Sequence, residues 1–491
     1  MISDMDYKEL FVGGDLSGIQ SFLYNITSTK AAVSLKGRSD YLSSHMRDFC
    51  NKLIECVKNA GAVNTHEIYC SGGKFYFRTN NSEKIIEAVL KCTLEEEKLL
   101  FDEHKGHLGI AVAYVAFDEK ADGTVDAKGG NHPCGFLWEC VNDDFTKAKR
   151  QKFKALIGDR FLDFFSPIQV GKNPRVCALT GVESESCVRF NNESNSDGTP
   201  IYILPSVKEQ IFRGKKISES NETQTFEYYA HETFLGVLRM DVDGLGARFR
   251  KGFKSISDYE AFSKRLTDFF EQKIKSIVAQ EFVNTLDVIY AGGDDIFVVG
   301  QWDKTIELAE QIHCDVVKNF SDEGISISGG IAIVDPKFPI AKAAELAGDA
   351  EDEAKSFVLD DKKKNAISFL GRTVSWDGEY DDVKEWKERF VKCIDKFGLS
   401  KSILHKLMLY ASIARKNETA DDSDKDYSYI WHMAYYLKRF KEPYIENKRS
   451  SDKIILDLCD DLMLQFKNRS IVRIGLAARW AELELKENIN N

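Results

Sequence analysis

MDVDGLG (residues 240–246) and AGGDDIFV (residues 291–298), one helix apart, decide how this chain is read. The apolar run 235–242 suits a buried strand reaching Asp241. Ser257, with Glu260 three residues on, forms a capping-box signature. Ile256, Tyr259, Phe262, Leu266, Phe269, Phe270, Ile274 and Ile277 then follow helical spacing. The runs 287–291 and 296–300 predict two strands joined through Gly292-Gly293-Asp294-Asp295, a hairpin signal. A helix over 302–320, a strand over 325–334 and a helix from Pro339 to Lys355 follow, and 366–370 is a candidate extra strand. The order βαββαβ is that of a ferredoxin-like unit.

In such a unit the end of the first strand and the tip of the hairpin are neighbours on the sheet. Asp241, Asp243, Asp294 and Asp295 are therefore expected to converge. Like charges so close repel unless cations neutralise them. Hard oxygen ligands suit Mg²⁺ or Mn²⁺, with substrate phosphates completing the shell. Two such ions ~3.5–4 Å apart support an in-line displacement. Gly292 and Gly293 lack side chains, so a nucleotide phosphate can approach the backbone. A Gly-Gly-Asp-Asp turn can also be a hairpin without function. The Asp-x-Asp at the preceding strand end favours chemistry.

The N-terminal region has the same order. Strands are expected at 10–16, 66–70, 75–78 and 108–117, with helical material up to Ala60 and over 82–100. Repeats of this kind determine architecture. Residues 14–19 lie over 240–245, and Ser71–Phe75 over Ala291–Asp295, at nearly the same offset. Asp15 then matches Asp241, Ser17 replaces Asp243, and Lys74 and Phe75 replace both hairpin aspartates. One carboxylate cannot hold two metals, so this copy is expected to be silent. It can still wall a nucleotide site, with Lys74, Lys36 or Arg38 meeting phosphate. Lys355 and the run Lys362-Lys363-Lys364 have a similar claim, against the alternative of a solvated surface.

The expected fold class is α+β: two ferredoxin-like (βαββαβ) domains, a small connecting domain and a helical C-terminal domain. The expected boundaries are 1–150, 151–228, 229–378 and 379–491. Polar runs at 191–198 and 417–426 predict surface loops. With 491 residues, 43% hydrophobic and 30% charged, the composition is that of a soluble globular protein. The net charge of −11 argues against gripping nucleic acid by bulk charge, while leaving room for a local basic groove. No targeting signal or membrane-length apolar run is present, which points to a cytoplasmic protein with its eleven cysteines reduced. Cys177 and Cys187 lack the paired spacing of a four-ligand site, and Cys134 and Cys140 could join them only through the fold, so structural zinc is not expected.

The run 14–42 (GDLSGIQSFLYNITSTKAAVSLKGRSDYL), the SGGKF hairpin, MDVDGLG and AGGDDIFV together resemble the large polymerase/cyclase subunit of type III CRISPR–Cas interference complexes. GDLSGIQ and LKGRS resemble the subtype A branch. The resemblance covers nearly the whole chain. It implies target-RNA-activated synthesis of cyclic oligoadenylate second messengers from ATP. The 3′-hydroxyl of one ATP attacks the α-phosphate of another and pyrophosphate leaves. Asp241, Asp294 and Asp295 match the family's metal-binding carboxylates, with Asp243 beside them. The implied partners are crRNA, target RNA, a small subunit and the subunit capping the crRNA handle. Many members begin with an HD nuclease domain. This chain starts at the first palm and has no His-Asp dipeptide, so no DNase activity is expected.

Other classes remain. GGDDIF lacks the Glu of the GGDEF pattern that a diguanylate cyclase would carry. A related palm could join AMP to another acceptor. The chain could also be a catalytically silent scaffold of a ribonucleoprotein, its acidity facing basic partners.

Overall fold

The computed structural model describes residues 6–26, 31–104, 106–165, 171–194, 198–217, 225–231, 233–251, 253–359, 362–447, 450–467 and 470–490. Compactness divides the chain into two units. One is Met1–Ile325 with Val334–Glu345, the other Ser326–Ile333 with Leu346–Asn491. This partition does not follow the four segments read from the sequence: it cuts through the segment 229–378.

The first unit opens with β1 (Glu9–Ser17), α1 (Ala31–Asn59), β2 (His66–Ser71), β3 (Lys74–Asn80), α2 (Glu83–His104) and β4 (Gly109–Glu119). The sheet order is β2-β3-β1-β4, with β1 antiparallel to both neighbours. Two short strands, Val125–Ala127 and Gly130–His132, extend that sheet. A strand in this central place is covered on both faces, which is why Leu10, Phe11 and Val12 are all fully buried. Helix α3 (Phe136–Arg150) packs Leu137, Trp138, Val141 and Phe145 onto this sheet.

The connecting segment holds a two-stranded sheet of β5 (Val188–Ser194) and β6 (Pro200–Ile203), followed by α4 (Pro205–Ile217). Cys177, Cys187, Phe190, Ile203, Val207 and Ile211 form its core, to which α1 contributes Val33. Helices α1 and α4 approach backbone to backbone. A Cβ on Gly37 would lie 1.8 Å from the Gln210 carbonyl oxygen, and one on Gly214 would lie 2.0 Å from that of Val33.

The second copy begins in the same unit with β7 (Leu235–Val242), α5 (Leu245–Lys251) and α6 (Ile256–Asp268). The helix continues through one π turn, Phe269–Lys273, into Ile274–Glu281. Then come β8 (Leu286–Gly292), β9 (Asp295–Gln301) and α7 (Trp302–Phe320), with strand order β8-β9-β7. The two copies share a core, since the Trp138 and Tyr259 rings lie 3.7 Å apart.

The next elements are β10 (Ile327–Val334), α8 (Ile340–Ser356), β11 (Ala366–Phe369) and β12 (Arg372–Ser375). In the second unit β10 pairs parallel with β11, and β11 antiparallel with β12. Trp376 Nε1 donates to the Ile327 carbonyl at 3.1 Å. Five helices follow: α9 (Glu379–Phe397), α10 (Ser402–Thr419), α11 (Ser428–Asn447), α12 (Ser450–Lys467) and α13 (Ile471–Asn490). Among the described residues no helix is long and apolar enough to cross a membrane.

Four local readings change. The cap of α6 is Ser255, whose hydroxyl accepts from the Asp258 N–H at 3.2 Å, and Ser257 is already helical. Residues 191–194 extend β5 rather than looping, with Ser194 opposite Pro200 of β6 beyond an irregularity in register; residues 195–197 lie outside the described set. The expected loop 417–426 starts later, since α10 runs to Thr419. Lys362 and Lys363 pair with Leu359 and Val358 as short strands, and Lys364 follows them with a left-handed backbone (φ 72°).

The α1–α4 contact gives a direct test. Gly37→Ala forces a methyl group into a backbone oxygen that cannot rotate away. It should destabilise the protein by about 1–3 kcal/mol, read as a lower denaturant midpoint. A surface Ala substitution such as Lys84→Ala should leave the midpoint unchanged.

Candidate active site at the hairpin tips

Strand register sets this site. Asp241 on β7 stands opposite Asp295 on β9, and their carboxylate oxygens come within 4.8 Å of each other. Like charges directly opposite on a sheet are destabilising. A pair of hard oxygen donors at that spacing fits a divalent cation such as Mg²⁺ or Mn²⁺. Asp294 sits on the turn between β8 and β9, and its carbonyl accepts from the Val242 N–H at 3.3 Å. Asp243 follows on the turn leaving β7 and is half-buried.

The β8–β9 turn needs glycine. Gly293 is left-handed (φ 70°), as the first central residue of a tight hairpin often is. It also meets the matching turn of the first copy. A Cβ on Gly72 would lie 3.1 Å from the Gly293 Cα, and a Cβ on Gly293 would lie 3.1 Å from the Gly72 Cα. The Gly293 N–H donates to Ser71 Oγ at 3.0 Å, and the Ser71 hydroxyl in turn donates to the Glu271 carboxylate. Glu271 lies on the π turn, a feature frequent at functional sites. Tyr290 Oη donates to the Gly292 carbonyl at 3.0 Å. A hydroxyl, a carboxylate and a phenol thus hold the turn that carries the aspartates.

The phenols of Tyr69 and Tyr290 are pushed well above their ordinary range. Burial is the main cause, reinforced by Asp294 for Tyr69 and by Asp295 and Asp294 for Tyr290. Both remain protonated hydrogen-bond donors beside the carboxylates. A cavity of about 250 Å³ opens at this point, walled by Lys74, Arg250, Tyr69, Tyr76, Asn142 and Asp294. Cations and flat rings beside a carboxylate suit an anionic aromatic ligand held with the help of a metal ion.

The two copies correspond one residue differently from the sequence alignment. Asp15 pairs with Lys74 as Asp241 pairs with Asp295. The Leu16 N–H bonds the Gly73 carbonyl as Val242 bonds Asp294. Lys74 therefore stands in the place of Asp295, and Gly73 in that of Asp294. Lys149 Nζ lies 2.7 Å from the buried Asp15 carboxylate. Tethered ammonium groups occupy this copy where the other presents carboxylates.

Three expected phosphate contacts have other placements. Arg38 is buried, with Nε donating to Gln210 Oε1 at 2.9 Å and Nη1 to the Phe22 and Asn25 carbonyls at 2.6 and 3.0 Å. Burial lowers its pKa to about 10, so it stays cationic as an internal bracket. Lys36 bonds the buried Asp287 at 2.6 Å. Both serve packing because α1 points them inward. Lys355 belongs to the second unit, where it pairs with the buried Glu351 at 2.6 Å. Lys74 alone of these four cations lines the cavity.

Sequence reasoning missed Ser71, Glu271, Tyr69 and Arg250. The one available signal was the Gly-Gly pair retained in a copy without the aspartates, which marks a turn kept for contact. Cys177 and Cys187 sit inside the apolar core of the connecting segment.

Two family models match the chain. Cas10/Cmr2, second palm domain, matches residues 234–368, and Csm1 subunit domain B matches residues 8–167, together more than half of the sequence. A curated relative from Enterococcus italicus, a single-strand-specific deoxyribonuclease Cas10/Csm1 of CRISPR subtype III-A, is 27% identical over 70% of this chain and 52% of its own length. A Methanocaldococcus jannaschii protein of the same description is 26% identical over 76% of this chain and 60% of its own. The chain thus spans about half to two thirds of the length of these relatives. Crystal structures of a Csm1–Csm4 cassette share the fold at 18% identity. One in complex with cA4 matches at a TM-score of 0.67 over 98% of this chain and 70% of its own. One with ATP matches at 0.66 over 97% and 70%.

Two substitutions test this geometry. Ser71→Ala leaves the buried Gly293 N–H without its acceptor, at a cost of about 1–3 kcal/mol. Any activity of the site should fall by roughly tenfold or more, measured as initial rate, while circular dichroism is unchanged. Lys36→Met strands a buried carboxylate. Burial already raises the Asp287 pKa, partly offset by Lys36, so stability from this group is lost as pH rises through the folded value. The variant raises that value further. Its stability deficit should be small near pH ~5 and reach about 3–5 kcal/mol near pH ~8, read from denaturation midpoints.

Proposed function

The chain belongs to the Cas10/Csm1 family of type III-A CRISPR large subunits, and from that premise we propose that it makes cyclic oligoadenylates from ATP when target RNA is bound. The observation that carries this reading is the opposition of Asp241 and Asp295 at the sheet end, beside a cavity with Lys74, Arg250 and Asp294. Asp241 and Asp295, with Asp294 on the adjoining turn, would hold Mg²⁺ or Mn²⁺. Such ions, when bound, neutralise phosphate charge and lower the pKa of a coordinated hydroxyl.

The chain's own groups do the rest. Gly292 and Gly293 let a phosphate approach the turn. Lys74 and Arg250 supply positive charge to a triphosphate. Tyr69 offers a neutral donor, and the rings of Tyr69 and Tyr76 offer faces to a base. In the reaction a 3′-oxygen bonds the α-phosphorus, the bond from the α-phosphorus to the bridging oxygen breaks, and pyrophosphate departs. The hydroxyl proton passes to solvent. Repetition lengthens the product, and attack by its own 3′-end closes the ring. The Csm1–Csm4 cassettes solved with ATP, pppApA and cA4 bound support this substrate and product class. They also support a Csm4-type subunit as a partner, with crRNA, target RNA and a small subunit completing the assembly.

The test is product analysis by mass spectrometry. The assembled complex, with guide and matching target RNA, is supplied with ATP or GTP and Mg²⁺. Oligoadenylate rings and pyrophosphate should form from ATP. Asp294→Ala with Asp295→Ala should lower turnover by at least ~100-fold without changing assembly on a sizing column. Turnover unchanged in that variant, or a cyclic GMP dimer as sole product, would overturn the reading.

A further inference from the structure

We propose that the groove between α10 and α11 in the helical segment binds single-stranded RNA. A hollow of about 420 Å³ lies there, walled by Tyr410, His432, Tyr435, Tyr436 and Phe440, with Lys406 and Arg439 at its sides. Trp431 and Tyr435 on α11 are 61% and 60% exposed, an unusual placement for two large rings side by side.

Helical spacing orders these side chains. Trp431, Tyr435 and Arg439 recur every four residues, and so do His432, Tyr436 and Phe440. Residues four apart share a face, with rungs about 6 Å apart along the axis. Two adjacent ladders of flat groups result. The rungs are already arranged for stacking. Trp431 stacks on His432 with centroids 3.6 Å apart, His432 lies parallel to Tyr410 within 5°, and Tyr436 and Phe440 are 5.6 Å apart. The Arg439 guanidinium lies 5.8 Å from the Tyr435 ring.

The lining chemistry selects the occupant. No lining residue is aliphatic and none is a carboxylate. A partner helix laid into a groove needs aliphatic or aromatic anchors in a dry slot. Here the rings alternate with cations and keep polar edges in water. Exposed aromatics with interleaved cations are the platform on which successive bases stack while the backbone is neutralised. Tyrosine hydroxyls and an imidazole at the edges offer partners for the ribose 2′-hydroxyl. The chain as a whole carries −11, so this basic, ring-bearing face is a local exception to its charge. The inference rests on the helical segment alone and is independent of the catalytic reading.

The experiment is fluorescence anisotropy of the intact chain with a fluorescein-labelled oligouridylate and with the DNA oligomer of equal length. The RNA should bind more tightly than the DNA. Trp431→Ala with Tyr435→Ala should weaken RNA binding by about tenfold or more, while Tyr435→Phe with Trp431→Phe retains most of it. Lys406→Glu with Arg439→Glu should weaken binding and flatten the log–log salt dependence by roughly 0.7 per lost phosphate contact. These side chains are exposed or at the groove edge, so circular dichroism should be unchanged. RNA affinity unaltered in the aromatic double variant would overturn the proposal. So would equal affinity for the DNA. Unaltered RNA affinity with loss of a copurifying protein subunit would assign the groove to that subunit instead.

Discussion

The contact on which the aspartate-bearing turn depends is made of almost nothing. Two glycine turns, Gly72 of one copy and Gly293 of the other, meet with no room for a side chain, and a single N–H donated to Ser71 registers them. The carboxylates of Asp294 and Asp295 follow Gly293 directly, so their aim is set by this turn. The Ser71 hydroxyl is in turn oriented by Glu271, which the π turn of the second copy brings round to face it. The first copy therefore contributes a surface that positions the turn of the second.

Electrostatics sets the two copies apart. Metal ions and ammonium groups are alternative answers to a buried carboxylate. The first copy answers Asp15 with Lys149 and with Lys74 across the register. The second keeps Asp241 and Asp295 face to face, an arrangement that calls for an ion from solution. The strand order persists in both copies, β2-β3-β1 against β8-β9-β7, while the turns differ: Gly72 and Gly73 are both left-handed in the first, and only Gly293 is in the second.

The repeat, its strands and long helices, and the gathering of aspartates near one hairpin were legible because each has a local signal: periodicity, Gly-Gly, and carboxylates at strand ends. The one-residue shift between copies was not, because register depends on which carbonyl each amide finds across the strands. Lys36 and Arg38 read as surface cations because a single helix of Lys and Arg looks the same facing water or facing a partner. Their burial follows from α4 and β8, elements distant in sequence. Ser255 took the cap from Ser257 for a smaller reason: either serine fits the pattern, and only the backbone turn decides.

Both copies belong to one polypeptide, so they meet at an effective concentration set by the connecting segment rather than by the amount of protein. A palm that needs a second palm to hold its turn ordinarily has to dimerise, and identical partners then yield two reacting centres per pair. Here the stoichiometry is written into the gene. Each chain carries one aspartate-bearing turn and one turn that holds it, in a ratio that dilution cannot disturb. The contact between the two turns should therefore survive dilution of the chain.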